Sequence, residues 1–398
     1  MDSLTWLGFA LSVLVILAIS RWHLGVSLLT ASLVLAVFTL SPSEFGSAGL
    51  EAYTDPGILL LALAVATIPM IGGYMERSGA LDSLVRNMHM GRKAFLAGMP
   101  ALLGMLPMPG GALLSAPIIK RGGEGVSDES KVCLNVWFRH VIYLIYPLST
   151  SLIVSAYVAG IVVYDVVPYL LPFLFLAIIV GTIFFLGEAK GRVGGDGAVS
   201  RRGLLVPLSV ILTAPIIDFV VMFTLNPEPR EASLLFAILV SLSLAVWVSH
   251  AGPRSMKSIA RRMKPWNYGL IILGMFLYLA VFNISGVPEL IGGLDMPLIV
   301  LCIGAGAFLG IVTGRMEVPA SIVIPIYLGS AGLTAMAPAV FAVTYASIFV
   351  GYIISPVHPC VSISLEYFGV SLKKYLTKMA WPSIILMIAM IIAGMIVF

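Results

Sequence analysis

Gly104-Met-Leu-Pro-Met-Pro-Gly-Gly-Ala-Leu-Leu-Ser-Ala-Pro117 lies at the centre of an apolar stretch that runs from Ala94 to Ile119. The stretch is long enough to cross a hydrocarbon core, which takes roughly 20 residues of helix. Its prolines and glycines interrupt it at mid-length. An interior proline removes a backbone hydrogen bond and clashes with the preceding turn, so the segment reads as two short helices joined by a non-helical tip. A second stretch of the same kind, Pro297 to Leu328, carries Val312-Thr-Gly-Arg-Met-Glu-Val-Pro-Ala-Ser-Ile-Val-Ile-Pro325. Whether these two stretches cross the membrane or turn back inside it decides the fold.

That a membrane is involved follows from composition. Of 398 residues, 60% are hydrophobic and 11% charged, against about a quarter charged in soluble domains. Mean hydropathy is +1.05. These values exclude an ordinary soluble enzyme, a disordered chain, a coiled coil and a secreted disulfide scaffold. Cys133, Cys302 and Cys360 lie in apolar stretches without paired ligand spacing, so they read as small buried hydrophobes and no zinc site or disulfide is expected. The net charge of +4 comes from residues scattered through short loops, which argues against a nucleic-acid partner. No Walker A motif is present, so transport driven by ATP on this chain is not expected.

Ten candidate spans can be read: Leu4 to Ser20, Leu24 to Leu40, Gly57 to Met75, Asn135 to Tyr157, Pro168 to Leu186, Leu204 to Leu225, Ala232 to Ser249, Tyr268 to Ile284, Pro338 to Tyr367 and Pro382 to Phe398. The first is followed by another apolar segment and lacks a basic leader, so it reads as a retained helix. If both interrupted stretches turn back and the N-terminus is outside, every Lys and Arg except Arg139, Arg230 and Arg315 falls in a cytoplasmic loop. The outer loops then carry Glu44, Glu51, Asp55, Asp165, Glu289 and Asp295. Full crossing by either stretch would put basic loops outside, against the positive-inside rule. Two re-entrant hairpins, about 94–120 and 297–330, and two external termini are therefore expected.

The halves also resemble each other in order. Ser78-Gly79 recurs as Ser285-Gly286, an offset of 207; Pro117 matches Pro325 at 208; Pro147 matches Pro356 at 209. With five spans in each half, the second copy is inserted upside down. The expected architecture is an all-α polytopic membrane protein of two inverted-topology repeats, 1–187 and 204–398, joined by a cytoplasmic linker at 188–203.

Non-helical backbone survives inside a membrane only where it is buried or lines a wet cavity. Four such places are expected. Two are hairpin tips, offering Pro109, Gly110, Gly111 and Ser115 in the first, and Thr313, Gly314, Arg315, Glu317 and Ser321 in the second. Two are helix breaks, offering Ser149, Thr150 and Ser151, and Ser355, His358 and Ser362. At each break the freed carbonyls suit a cation, and the next helix N-terminus suits an anion. Arg315 is deep in an apolar segment, where an ionisable group costs upward of about 2.5 kcal/mol. A guanidinium fork for a carboxylate or phosphate is one reading; a local pair with Glu317 is the other. Arg139 and His140 stand a turn or two inside their span, open to snorkelling or to a site role. His358 reads equally as a proton carrier and a core histidine. Asp218, near the outer end of its helix, is a weaker candidate for a transport carboxylate.

The hairpin motif Leu106-Pro-Met-Pro-Gly-Gly-Ala-Leu-Leu-Ser-Ala-Pro117 and the two-fold plan resemble an uncharacterised family of archaeal and bacterial integral membrane proteins. That family is usually placed in the ion transporter superfamily, beside gluconate permeases, citrate transporters and divalent anion/sodium symporters. The resemblance spans nearly the whole chain. It implies an elevator-type secondary transporter, often a homodimer, in the plasma membrane of a prokaryote. Where the divalent anion symporters carry Ser-Asn-Thr at their tips, this chain has Pro109-Gly-Gly111 and Glu317-Val-Pro-Ala-Ser321. The expected activity is symport of a small organic anion such as a carboxylate or sugar acid. No cofactor is expected beyond a coupling ion, Na+ or H+, and no catalytic residue. The alternatives are a cation/proton antiporter built on Glu317 or Asp218, and an intramembrane hydrolase built on Ser355 and His358.

Overall fold

Among the described residues, seven helices are long and apolar enough to cross a membrane, and shorter apolar helices fill out the bundle. The computed structural model describes residues 2–19, 23–88, 90–106, 111–193, 200–251, 253–292 and 297–398. The first half contains α1 (Asp2–Ile19), α2 (Leu24–Thr39), α3 (Pro42–Thr54), α4 (Pro56–Arg77), α5 (Ala80–Asn87), α6 (Arg92–Gly104), α7 (Gly111–Gly122), α8 (Asp128–Val141), α9 (Thr150–Val158) and α10 (Val163–Phe185). The second contains α11 (Arg201–Leu225), α12 (Glu231–Ser249), α13 (Pro253–Met263), α14 (Pro265–Ile284), α15 (Val287–Gly292), α16 (Gly306–Thr313), α17 (Glu317–Ala331), α18 (Pro338–Ile354), α19 (Pro359–Phe368) and α20 (Leu372–Val397). The order repeats: two spans, a short helix opening with proline, a third span, a helical stub, a helix pair, a broken helix and a final span. This is an all-α polytopic membrane protein.

Starts and stops follow local chemistry. Ser41 and Glu44 form a reciprocal capping box at α3, and Asp55, Ser200 and Ser371 accept from backbone amides at the starts of α4, α11 and α20. Such caps satisfy amides that the first turn leaves unpaired. Three spans begin earlier than the apolar pattern suggests. α8 starts at Asp128, α10 at Val163 and α20 at Leu372, so Pro168 and Pro382 lie inside helices instead of opening them. Pro382 is itself buried, in a helix whose inner face packs on α8, α10 and α18.

One face of the molecule is knitted together by the basic loops. β1 (Met90–Gly91) pairs antiparallel with β2 (Arg192–Val193). Arg262 forms an ion pair with Glu76, Lys374 with Glu129 at 2.7 Å, and the Ser127 amide donates to Glu188 Oε2 at 2.6 Å. Arg92 Nη1, at the start of α6, donates to the Glu124 carbonyl just beyond α7 at 3.0 Å. The two arms of the first helix pair therefore begin and end on the same face.

The helices sort into two bundles. α1–α4 pack with α11–α14, and α6–α10 pack with α16–α20; α15 bridges the two, while α5 packs on α4 and α11. Contacts are exchanged between halves: α2 packs on α14 and α4 on α12, while α7 packs on α19 and α17 on α9. α4 and the α18–α19 pair are largely buried, whereas α11 and α20 turn apolar surface such as Ile216, Phe219, Phe223, Ile388 and Ile392 outward, as lipid-facing helices do. Three cavities lie along the border between bundles. One of about 270 Å³ includes Leu61, Tyr157, Tyr164 and Asp218. A second of about 410 Å³ includes Glu76, Asp82, Leu103 and Arg121. The third, of about 480 Å³, includes Leu279, Asn283, Pro325 and Thr334.

Candidate functional site

The second helix pair ends its first arm at Gly314, whose φ of 59° is a left-handed conformation that glycine adopts without strain. A side chain there would lie 2.8 Å from the His358 backbone nitrogen, so this tip is pressed against the break between α18 and α19. Ser355 Oγ, at that break, donates to the Ile311 carbonyl in the last turn of α16 at 2.5 Å. Thr313 Oγ1 donates to the Leu309 carbonyl at 2.7 Å and accepts from the Arg315 amide at 3.3 Å. On the other side, Ser151 Oγ in the first turn of α9 donates to Glu317 Oε1 at 2.6 Å. The tip thus touches both helix breaks. Each break is made by proline: Pro147 lies in the first, after the 3-10 turn Ile142–Leu144, and Pro359 opens α19 behind the second.

The first helix pair meets α8 through its glycines. A Cβ on Gly104 would overlap the Arg139 carbonyl, and one on Gly111 would overlap the Arg139 guanidinium. Arg139 is 2% exposed. Among the described residues it has no carboxylate partner, and its Nη1 has no hydrogen bond. Four residues earlier on α8, the buried Asn135 donates to the Ala112 carbonyl at 3.2 Å and to Ser364 Oγ at 2.9 Å, and accepts from Ser115 Oγ at 2.5 Å. One amide therefore links α7, α8 and α19.

Beyond Arg139 lies an aromatic cluster. His140 packs edge-on against Tyr143, Tyr352 and His358, with ring centroids 5.2, 5.2 and 4.6 Å away. His358 stacks on Tyr352 at 4.1 Å. His140 Nδ1 lies 2.6 Å from the Val136 carbonyl. Cys360 completes the group: one ligand atom from each of His140, His358 and Cys360 lies within 4.8 Å of the others. Among the described residues, these three are the group able to hold a metal here.

Of the residues expected from sequence, Pro109 and Gly110 lie outside the described residues. Gly111, Ser115, Ser149, Ser151, Thr313, Gly314, Ser321, Ser355 and His358 are buried, and Thr150, Arg315 and Glu317 are half-buried. Ser115 reaches the breaks only through Asn135, and Ser321 Oγ donates back to the Glu317 carbonyl at 2.7 Å. Ser362 stands apart on the exposed side of α19, and the hydroxyl that turns inward is that of Ser364. Arg315 and Glu317 form no ion pair among the described residues. Arg139 and His140 do not snorkel; both are enclosed. The Ser355 hydroxyl is engaged with the Ile311 carbonyl, not with His358. Asp218 lies at the bundle border, in the cavity that Pro147 of the first break also lines, accepting from Tyr164 Oη at 2.6 Å and Ser233 Oγ at 2.8 Å. Arg139 as an enclosed charge, Asn135, Tyr143, Tyr352 and Cys360 were not singled out from sequence. A polar residue i−4 from an intramembrane arginine was the one available signal for Asn135.

Two bundles, with discontinuous helices and a helix-pair tip that touches both helix breaks inside one of them, define the class of membrane protein to which this chain is to be compared. The chain belongs to the family described as Protein of unknown function (DUF401), whose model matches residues 3–397. No curated protein matches it in sequence. Among solved structures it is similar to the YdaH transporter of Alcanivorax borkumensis, described as having an unusual topology. The likeness has a TM-score of 0.64 at 13% identity and covers 98% of each chain. At that identity the likeness establishes a shared fold.

Proposed function

We propose that the chain is an ion-coupled secondary transporter for a small organic anion, working by movement of the α6–α10/α16–α20 bundle against the other. The observation that carries this reading is the pair of arginines, Arg139 and Arg315, at the converging tips and breaks, neither ion-paired among the described residues. A guanidinium held in a low-dielectric site without a counter-charge gains most from an anionic ligand. The N-terminus of α7 beside Arg139 adds amides and a positive dipole end. The cavities along the bundle border support a sliding interface. The carbonyls freed where α8 and α18 end suit a coupling Na+; H+ coupling would use Glu317. In this reading the helix pairs are re-entrant hairpins, the knitted basic face is cytoplasmic, both termini are outside, and the chain sits in the plasma membrane of a prokaryote as a homodimer.

A thermal-shift screen of small carboxylates, sugar acids and phosphates, each with and without sodium, tests the reading. A ligand at about 100 times its Kd contributes roughly 2.7 kcal/mol. The shift is expected to vanish in Arg315→Ala, together with uptake in liposomes; unchanged uptake would remove the anion role from Arg315. A second reading, cation/proton antiport, is favoured by Glu317 being bonded to Ser151 and not to Arg315. Stabilisation by sodium or by acid alone, with no anion effect, would select it.

A further inference from the structure

His140 comes from the first half of the chain and His358 and Cys360 from the second, and the fold brings their ligand atoms within 4.8 Å of one another. The anion site argued above does not require this. His358 is 1% exposed, yet its Nδ1 has no hydrogen-bond partner among the described residues. A buried polar atom left unpaired costs about 1–3 kcal/mol, so an unpartnered ring nitrogen at this place calls for a partner, which a metal ion supplies once the lone pair is on it. His140 is fixed in the complementary way. Its Nδ1 is bonded to the Val136 carbonyl at 2.6 Å; that nitrogen carries the proton and Nε2 keeps its lone pair. A histidine anchored to a backbone carbonyl through one nitrogen and bare at the other is the form in which imidazole ligates metals.

We propose that His140, His358 and Cys360 form a binding site for a soft d10 metal ion, Cu(I) or Zn(II), at the junction of α8 with the α18–α19 break. Two imidazoles and a thiolate are a borderline-soft donor set, unlike the oxygen cages that Na+, Mg2+ or Ca2+ require. Metal–nitrogen and metal–sulfur bonds of about 2.0–2.3 Å demand ligand separations somewhat shorter than those present, so the three side chains close by about an ångström on binding. The Cys360 thiol loses its proton to solvent as the metal–sulfur bond forms, with no change of oxidation state. The Arg139 guanidinium, whose charge acts on Cys360, stabilises the resulting thiolate. No fourth His, Cys, Asp or Glu joins the group among the described residues. The site is therefore three-coordinate for Cu(I), or leaves one position on Zn(II) to water or an anion. Either ion would pin α8 of one half to α19 of the other.

The test uses the full chain in detergent, stripped with a chelator and reloaded with Zn(II), with Cu(I) under reductant without oxygen, or with Co(II) as a spectroscopic probe. One equivalent of Zn(II) or Cu(I) is expected to survive desalting, and the arm that retains it identifies the ion. Affinity should fall by roughly a factor of ten or more in Cys360→Ser and in His358→Ala. The Co(II) form should show a cobalt–thiolate charge-transfer band. The chain has three cysteines, so the Cys133→Ser/Cys302→Ser variant leaves Cys360 as the sole thiol and should keep that band. Failure of the wild-type chain to retain either metal, absence of the band, or equal affinity in the single variants would each overturn the site. The wild-type spectrum decides even where a variant does not fold.

Discussion

The two helix pairs share a backbone plan and differ in what grips their tips. In the first, Gly104 lets α6 lie directly on α8 at the Arg139 carbonyl; in the second, a Cβ on Gly310 of α16 would come within 2.6 Å of the Ile348 carbonyl of α18, and Gly351 meets the Ala307 carbonyl from the other side. Small residues permit the same close approach in both places. The polar groups diverge. The helix ends of the first pair rest against an enclosed arginine and an amide with three partners, whereas the second tip is held by single hydroxyl bonds and leaves Arg315 and Glu317 half-buried. A repeated fold specifies where backbones must touch; its chemistry is set one side chain at a time.

The largest expected effect breaks the shared part. Gly104→Val and Gly351→Val should each cost about 3 kcal/mol or more by forcing packed helices apart, read as loss of the monodisperse peak in gel filtration. If only one variant is damaged, the two crossings are not equivalent. Next, Asn135→Ala should lower stability by about 1–2 kcal/mol in thermal melts, because the buried Ser115 hydroxyl loses its shortest bond and keeps only long ones to the Gly111 and Ala112 carbonyls. Arg139→Gln should raise the stability of the ligand-free protein by about 1–2 kcal/mol by removing an enclosed charge that lacks a carboxylate. Arg315→Gln, half-buried, should leave that stability unchanged, and equal responses would erase the contrast between the tips. Ser151→Ala should cost about 1 kcal/mol, since Glu317 can turn to water.

The smallest effect lies on the basic face. The Lys374 ammonium, hydrogen-bonded to Glu129, holds that carboxyl below its ordinary 4.5. A depressed carboxyl contributes stability that is present above 4.5 and is lost as pH falls through the lower folded value. Lys374→Met should therefore flatten the acid limb of the melting curve slightly, and only at low salt.

The helix pairs and breaks were legible because Gly and Pro mark them locally: Pro107 to Gly111, Gly314, Pro147 and Pro356 need no partner to be read. Span starts at Pro168 and Pro382 were misplaced because a proline inside a helix reads, in one dimension, like a terminus. Arg139 looked like a membrane-edge residue because it follows a charged loop closely. Only the fold shows that α8 enters the bundle at once. The exchange of Ser362 for Ser364 has a similar cause, since the phase of α19 is fixed by how Pro359 restarts the helix against α7 and α8. The His140, His358 and Cys360 group joins residues from opposite halves, which no local spacing reveals.

The exchanged contacts carry a consequence for biosynthesis. α7 is covered by α19 and α9 by α17, so the first half leaves the ribosome with surfaces whose partners are translated last. Those surfaces must wait in the bilayer, sheltered by lipid or an insertion factor, until α19 arrives. A ribosome stalled before residue 359 should therefore leave the α7 and α8 surface around Ser115 and Asn135 open to crosslinking with lipid or with such a factor. Release of the finished chain should close it in one step.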